Sequence, residues 1–566
     1  MAKKYPKKST LCKSVTSNHL VAQNDIQQEK HISGNTFFKH SVFEVLQIIS
    51  ICLLIIMIRK NFLAIPYERD EGAYILFGRE LLNGKTPYLD FFDTRLPFIF
   101  YMYGLVASFG TSVIATAKFF MVIEMITTIT LFFTVKILFG KTSAWISAIS
   151  YAILTLNPAI NGFTRQSEHL VNLWAVLALY FTFKNYINRN LIYIFFSGVC
   201  FTLAMMIKHN AVFLVIYGGL ILLINEYLKE KAFGKPLLQS IGVYVLGCIT
   251  VVAILFGLIA IQGATNEMFY WAFTHSKIYV SRVAFDMNYF QSIVTSILTN
   301  YKFFFYSALV GLITILIIPG KIEIKISLFL LTLFSILTVF PGNQFYGHYF
   351  IMTMPALAVL IGFLFGGISI EKYKSAENGS RITGVIFFIF GTFLHLKTMN
   401  NLYFSPDYTT IIKNTYGNNP FIESYVIAEK IKPELGKEDY LAVMGSEQEI
   451  FLYTDTKPAS KHTIAYHLMV DTTVSVNPIK WQKEYISEVE KNKPKFFVFY
   501  RVGMSFLKTP NSCSRIFDWA GKYLNSNYEL YGAVDINTAE SQYFWSKDAF
   551  KNLKKEEDTI LVFKRK

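Results

Sequence analysis

The chain has 566 residues, of which 53% are hydrophobic, 16% aromatic and only 16% charged. That profile excludes both a soluble globular protein and a disordered one, and points to a chain largely embedded in a bilayer. The formal net charge of +15 does not mark a nucleic-acid binder. No basic patch interleaved with aromatics stands apart from the loops between apolar runs, and the cytoplasmic bias of lysine and arginine accounts for part of the excess.

The first 40 residues are polar and carry Lys3, Lys4, Lys7, Lys8, Lys13, Lys30 and Lys39. No apolar core with a small-residue cleavage site follows, so this is no cleavable signal, and a disordered cytoplasmic tail is expected over 1–40. Apolar runs then recur at 42–62, 112–139, 142–159, 168–184, 190–207, 211–227, 237–262, 303–319, 324–340, 347–367 and 382–398. They predict about eleven membrane helices of roughly 20 residues each. The stretch 98–110 is too short to span and ends in Gly110, so it belongs, as a re-entrant or surface helix, to a first outer loop over 63–111. With the tail inside, the lysine-bearing connections near 184–189, 229–235, 321–325 and 372–381 all fall inside. Arg59 and Lys60 fall on the other side, outweighed by the seven tail lysines. Residues 41–399 form a transmembrane domain in this reading, and everything after 399 lies outside.

From about residue 400 the composition becomes mixed. Short β-like runs at 440–445, 495–500, 530–534 and 559–563 alternate with helical patterns at 421–433, 478–491 and 514–525. This predicts a soluble α/β domain over 400–566, with neither a glycine-rich phosphate loop nor a nucleophile elbow. The five cysteines are scattered, and neither a disulfide framework nor a zinc spacing is visible.

The chemistry-bearing stretch is Tyr67 to Pro97, a polar and aromatic insert in an apolar third of the chain. It brings Asp70, Glu71, Asp90, Asp93 and Arg95 into one loop. Asp70 precedes a helical pattern with Tyr74, Phe77 and Leu81 on one face and Gly84 past its end. For an isolated aspartate this reads as a helix cap. Here the cluster Asp93-Thr-Arg95-Leu-Pro97 follows and returns a cation towards it. Further polar insertions are Arg165-Gln-Ser-Glu168-His169, Lys208-His209-Asn210 and the segment Asn343 to Tyr349 containing His348. In the eleven-span topology all lie at the outer helix ends. Ionisable groups there are costly unless paired or facing a cavity, and a snorkelling side chain is the ordinary alternative for each alone. Glu124 and Lys118 lie in the second span, where a buried pair in the bundle is as good a reading as a site role.

The run Asp70-Glu71-x-x-Tyr74, then Gly84-Lys-Thr-Pro87-Tyr88-x-Asp90-x-x-Asp93-x-Arg95-x-Pro97, resembles the first outer loop of bacterial members of the protein-mannosyltransferase-like family. These are C-type glycosyltransferases of family 39 and relatives, including aminoarabinose transferases. The likeness continues through Glu168-His169, Lys208, His348-Tyr349 followed by Pro355, and the soluble tail. Where this chain has Arg95 the family more often has lysine, and a forked guanidinium meets phosphate oxygens differently from an ammonium. The resemblance implies a polytopic α-helical membrane protein in the bacterial inner membrane, with a cytoplasmic N-terminus and an extracytoplasmic C-terminal domain. It implies transfer of a sugar from a polyprenyl phosphate to a hydroxyl of a glycolipid, polysaccharide or protein. An inverting displacement of this kind needs one base and cations for the leaving phosphate. Asp70 is the expected base, with Glu71 beside it. Arg95, Lys208, Arg165 and His348 are expected on the phosphate, and Asp93, Glu168, His169, Tyr74 and Tyr349 on the substrates, with Glu71 and Glu168 either orienting the sugar or tying the cations. A divalent metal among Asp70, Asp93 and Glu168 is a further option, for which the spacing gives no ligand signature. The competing readings are a transporter of envelope glycans or lipids, and a non-catalytic envelope receptor.

Overall fold

In the computed structural model, residues 34–231, 234–281, 284–366, 374–537 and 540–566 are described. The predicted tail over 1–33 lies outside them, and helix α1, Gly34–Arg59, takes in the rest of that segment. After it come α2 (Arg69–Leu82), α3 (Phe98–Ser108), α4 (Val113–Leu154), α5 (Ser167–Asn188), α6 (Leu191–Ile207), α7 (Val212–Glu230) and α8 (Lys235–Ile261). A second series follows: α9 (Met287–Thr299), α10 (Lys302–Ile317), α11 (Ile322–Leu337), α12 (Met354–Phe365) and α13 (Lys374–Thr398). Each apolar run read from the sequence overlaps one of these helices.

Two of those runs share α4. Its 42 residues would be about 63 Å long if straight, twice the hydrocarbon thickness of a bilayer. The helix breaks at Gly140, where φ is 82° and ψ is −179°, a conformation that costs glycine little and other residues much. Among the described residues seven helices are individually long and apolar enough to cross a membrane; α9 and α10, bent by 102°, are an eighth if taken as one span. α6 is apolar but shorter. The chain is therefore built as a multi-pass membrane protein.

Past α13 the chain changes class. A six-stranded sheet is ordered β2-β1-β3-β6-β4-β5, with β1 (Tyr440–Met444), β2 (Lys457–Pro458), β3 (Phe496–Arg501), β4 (Tyr528–Asp535), β5 (Gln542–Phe544) and β6 (Thr559–Arg565). β1 pairs in parallel with β2 and β3, and the other pairings are antiparallel. Helices α14 (Tyr408–Tyr416), α15 (Phe421–Ile431), α16 (Glu449–Thr454), α17 (Asn477–Asn492) and α18 (Arg515–Asn527) accompany it.

What positions the site is the way α2 is wedged between the two parts. A Cβ on Gly78 would lie 2.2 Å from the Tyr103 carbonyl oxygen of α3. A Cβ on Gly72 would lie 2.8 Å from the Glu449 Cβ of α16. Both distances are below any real contact, so two glycines admit the neighbouring backbones. Short α2 is thereby fixed on one side to the helical bundle and on the other to the soluble domain.

Candidate active site

The N-terminus of α2 is capped by Glu68. Its carboxylate accepts from the Glu71 backbone N–H at 2.9 Å, and the Glu71 carboxylate accepts from the Glu68 N–H at 3.0 Å, a reciprocal capping box. The capping role foreseen as the ordinary alternative for Asp70 is therefore already filled. Asp70 sits in the first turn, half-buried, and lines a cavity of about 640 Å³. Among the described residues its carboxylate makes no hydrogen bond or ion pair.

The loop after α2 brings a cation to the same cavity. Tyr88, at φ 69°, donates its hydroxyl to the Arg95 carbonyl at 2.7 Å. Asp93 Oδ1 accepts from the Arg95 N–H at 3.1 Å and from Thr94 Oγ1 at 3.3 Å. This turn aims the Arg95 side chain back at α2, where Nε donates to the Tyr74 hydroxyl at 3.0 Å. Among the described residues no hydrogen bond reaches the two terminal guanidinium nitrogens. Asp70, Tyr74, Asp93, Arg95, His348 and Tyr349 all line the cavity. Burial raises the Asp93 carboxyl above its ordinary range, with the Arg95 charge pulling the other way. Burial likewise holds the Tyr74 phenol well above its usual range, so it meets ligands as a neutral hydroxyl.

Residues 94–259 match the sequence profile of the family described as dolichyl-phosphate-mannose-protein mannosyltransferase. ArnT from Cupriavidus metallidurans, in its apo state, superposes with a TM-score of 0.55 at 12% identity, over 93% of this chain and 98% of that one. The fold is that of the C-type glycosyltransferases. The oligosaccharyltransferase of Archaeoglobus fulgidus, tethered to an acceptor peptide, reaches a TM-score of 0.45 at 12% identity, over 89% of this chain and 74% of that one. No curated protein matches by sequence.

Within this C-type glycosyltransferase fold, the remaining expected site residues lie behind the cavity wall. Glu71 is fully buried, and Arg165 pairs with it at 3.4 Å. The Arg165 backbone N–H also donates to Glu71, while its guanidinium donates to the Ile65 carbonyl at 2.7 Å and stacks over Tyr67. Each neutralises the other inside the protein, so Glu71 ties a cation, one of its expected roles, and Arg165 departs from its expected place on the phosphate. His169 is likewise corrected. It is fully buried, and its Nδ1 lies 2.5 Å from Glu124. Glu124 also meets Arg59 at 3.3 Å, so its partner is Arg59 and not the exposed Lys118. The position of Arg59 is thus set by an ion pair.

Lys208, at the end of α6, is bonded to Glu168 at the start of α5, and both are buried. Lys208 Nζ lies 3.8 Å from the centre of the Tyr349 ring, and His348 Nε2 is 3.8 Å from Glu168. Neither Lys208 nor Glu168 lines the cavity: Lys208 departs from its expected place on the phosphate, while Glu168 ties a cation, one of its two expected roles. They form a layer beneath His348 and Tyr349. Glu168 therefore does not join Asp70 and Asp93, and among the described residues no group of three or more His, Cys, Asp or Glu is arranged to hold a metal ion.

The cavity also has walls that the motif reading missed. Tyr279 and Tyr289 come from the segment between α8 and α10, and Asn157 from the loop after α4. The soluble domain contributes Asn419 and Tyr466, the latter packed on Tyr279 with ring centres 5.7 Å apart. Arg69 ties this domain down, donating to Glu447 at 2.8 Å, Asn419 at 3.1 Å and the Ser446 carbonyl at 3.2 Å. The available signal was weak: tyrosines and amides clustered between apolar runs, without charge.

Proposed function

We propose that the protein transfers a sugar from a polyprenyl phosphate to an acceptor hydroxyl, with inversion, in the bacterial inner membrane. The observation that carries this reading is a carboxylate, Asp70, and a guanidinium, Arg95, facing one cavity with hydrogen-bonding capacity unspent. In the reaction the acceptor oxygen attacks the anomeric carbon, and the bond from that carbon to the phosphate oxygen breaks. Asp70 takes the hydroxyl proton, and polyprenyl phosphate leaves as an anion that needs no proton. The two terminal nitrogens of Arg95 suit phosphate oxygens as a fork, and Tyr74 steadies its Nε. His348 and Tyr349 complete the donor side. The family match over 94–259 supports a donor of the dolichyl-phosphate type, and the apolar spans supply a bilayer for its tail. An orientation with the cavity and soluble domain outside agrees with the distribution of lysines between spans.

Tyr466 and Asn419 make the soluble domain a wall of the site, which supports its role in seating the acceptor. A transporter would need no general base, and an envelope receptor would need neither base nor phosphate fork. Purified protein incubated with labelled polyprenyl-phosphate sugars and envelope acceptors tests this directly. Transfer by the wild type and a loss of roughly 10²–10⁴-fold in Asp70→Asn is expected; equal transfer by that variant would remove the base assignment. Mass spectrometry of envelope glycans with and without the protein identifies the sugar and the acceptor together.

A further inference from the structure

The proposed transfer uses the part of the cavity around Asp70, Arg95 and His348, and leaves a second stretch of wall without a role. That stretch begins next to His348. A Cβ on Gly347 would collide with the Ala159 carbonyl oxygen, so the loop after α4 runs directly beside the donor side. The turn Pro158–Ile160 of this loop packs against α9 and against α14 of the soluble domain. Asn157 of the same loop donates to the Ile297 carbonyl of α9 at 2.9 Å. Loop, α9 and α14 therefore form one continuous wall.

The chemistry of this wall is uniform. Tyr289, Ser292, Ser296 and Asn300 line the cavity from α9 and its end, at intervals of three or four residues that mark a single helical face. Asn161 lines it from the loop and Asn414 from α14. Among the described residues the side chains of Ser292, Ser296, Asn161 and Asn414 make no hydrogen bond. Gln344, on the same cavity, is only 5% exposed. Its amide oxygen accepts from the Tyr349 hydroxyl at 3.4 Å, while its amide nitrogen has no acceptor among the described residues. A buried donor is costly to leave unpaired, so this position calls for an oxygen from a ligand.

Hydroxyls and carboxamides give and take hydrogen bonds without charge, and a sugar hydroxyl does the same. A phosphate-bearing acceptor would need a cation. Among the described residues Arg95 and Arg69 are the arginines on the cavity and no lysine lines it. Arg95 belongs to the donor side, and Arg69 is spent on Glu447, Asn419 and the Ser446 carbonyl. A peptide would gain most from a free strand edge, and neither edge strand of the sheet, β2 or β5, lines the cavity. We propose that this wall seats the acceptor and that the acceptor is an uncharged carbohydrate, with the attacking hydroxyl on one sugar unit and a neighbouring unit laid along α9. The inference rests on the transferase reading of the same site and names the acceptor class. The acceptor oxygen joins the anomeric carbon of the donor sugar, its proton passes to Asp70, and polyprenyl phosphate leaves, so the product is a glycosidic bond between two sugars.

The test gives the purified full-length protein a panel of polyprenyl-phosphate hexoses and pentoses labelled in the sugar, with envelope extract from cells lacking the protein as acceptor, and asks which bond holds the label. Mild acid frees a sugar held by phosphate, and alkaline elimination frees one held by serine or threonine. A glycosidic bond between two sugars survives both. The expected result is label that survives both treatments and, after partial hydrolysis, a labelled disaccharide that passes an anion exchanger. Label freed by either treatment, or a labelled disaccharide retained by the exchanger, would overturn the proposal and leave the transferase reading standing. No label in any acceptor with any donor would bring down both. The double variant Ser292→Ala, Ser296→Ala tests the seat. Loss of two hydroxyls from one exposed helical face should raise the acceptor KM about tenfold and leave the donor KM unchanged. An unchanged acceptor KM in the folded double variant would overturn the placement along α9.

Discussion

Two layers of charge lie at the same end of the helical bundle. In the inner layer Glu71 meets Arg165, Glu124 meets Arg59 and His169, and Glu168 meets Lys208. In the layer facing the cavity, among the described residues, Asp70 has no partner, and Arg95, whose Nε lies 3.9 Å from Asp93, keeps its two terminal nitrogens unbonded. All these residues look alike in the sequence, as ionisable groups beside apolar runs. The inner pairs have used their charge to hold loops and helix ends together, and cannot meet a substrate without leaving a buried partner exposed to nothing. The outer pair holds its charge in reserve. Membrane-edge charges therefore divide by how much of their bonding capacity is spent, and those with capacity left facing the cavity are the candidates for chemistry.

The sharpest way to break this comparison is at Asp70. Asp70→Asn should lower transfer by roughly 10²–10⁴-fold and leave the melting temperature unchanged, since no contact is lost. A large loss of stability would move Asp70 into the structural layer. The converse experiment is Lys208→Met, which strands Glu168 in the interior and should destabilise the fold by about 3–5 kcal/mol. Adding Glu168→Leu should recover most of that stability, because replacing a buried pair with apolar groups is often neutral. Failure of the double variant to recover, with retained sensitivity to donor, would place Lys208 in the donor site after all. Arg95→Lys is a smaller change. It keeps the charge but loses the fork and the Nε bond to Tyr74, so the KM for donor should rise by roughly tenfold with kcat little altered.

Most of the fold was legible before any coordinates, because hydropathy alone marks a membrane helix and short β-like runs mark four of the six strands, β1, β3, β4 and β6. The break at Gly140 was visible as the gap between two apolar runs. The cavity was half legible. Asp70, Tyr74, Asp93, Arg95, His348 and Tyr349 lie on it, while Glu71, Arg165, Glu168, His169 and Lys208 lie behind it. The reason is that a sequence displays charges but not their partners, and Glu71 and Arg165 stand 94 positions apart. Tyr279 stayed hidden for another reason. It follows a π-helical turn at Tyr270–His275, where the spacing of side chains obeys neither the helical nor the strand period. Glu449 was not singled out at all, since nothing in a chain says which carboxylate will press against a glycine of a distant helix.

Glu449 also offers the mildest test, since it sits at the joint between the two parts. It is fully buried against Gly72 of α2, and burial first, then the neighbouring Glu447, push its carboxyl up to about 8 from an ordinary 4.5. Between those two values the folded protein holds a proton that the unfolded chain has released. Stability from this group is therefore greatest below the lower value, falls as pH rises across the window, and is level above about 8. Glu449→Gln fixes the neutral state and leaves Glu447 free to hold Arg69. The difference in melting temperature between variant and wild type should grow as pH is raised from 5 to 8, reaching about 2–4 °C in favour of the variant. Parallel curves would mean that Glu449 is ionised in the docked state. The wedge of α2 between Gly72 and Gly78 would then owe its position to the bundle alone, and the wall of the cavity supplied by Tyr466 would be the looser of the two.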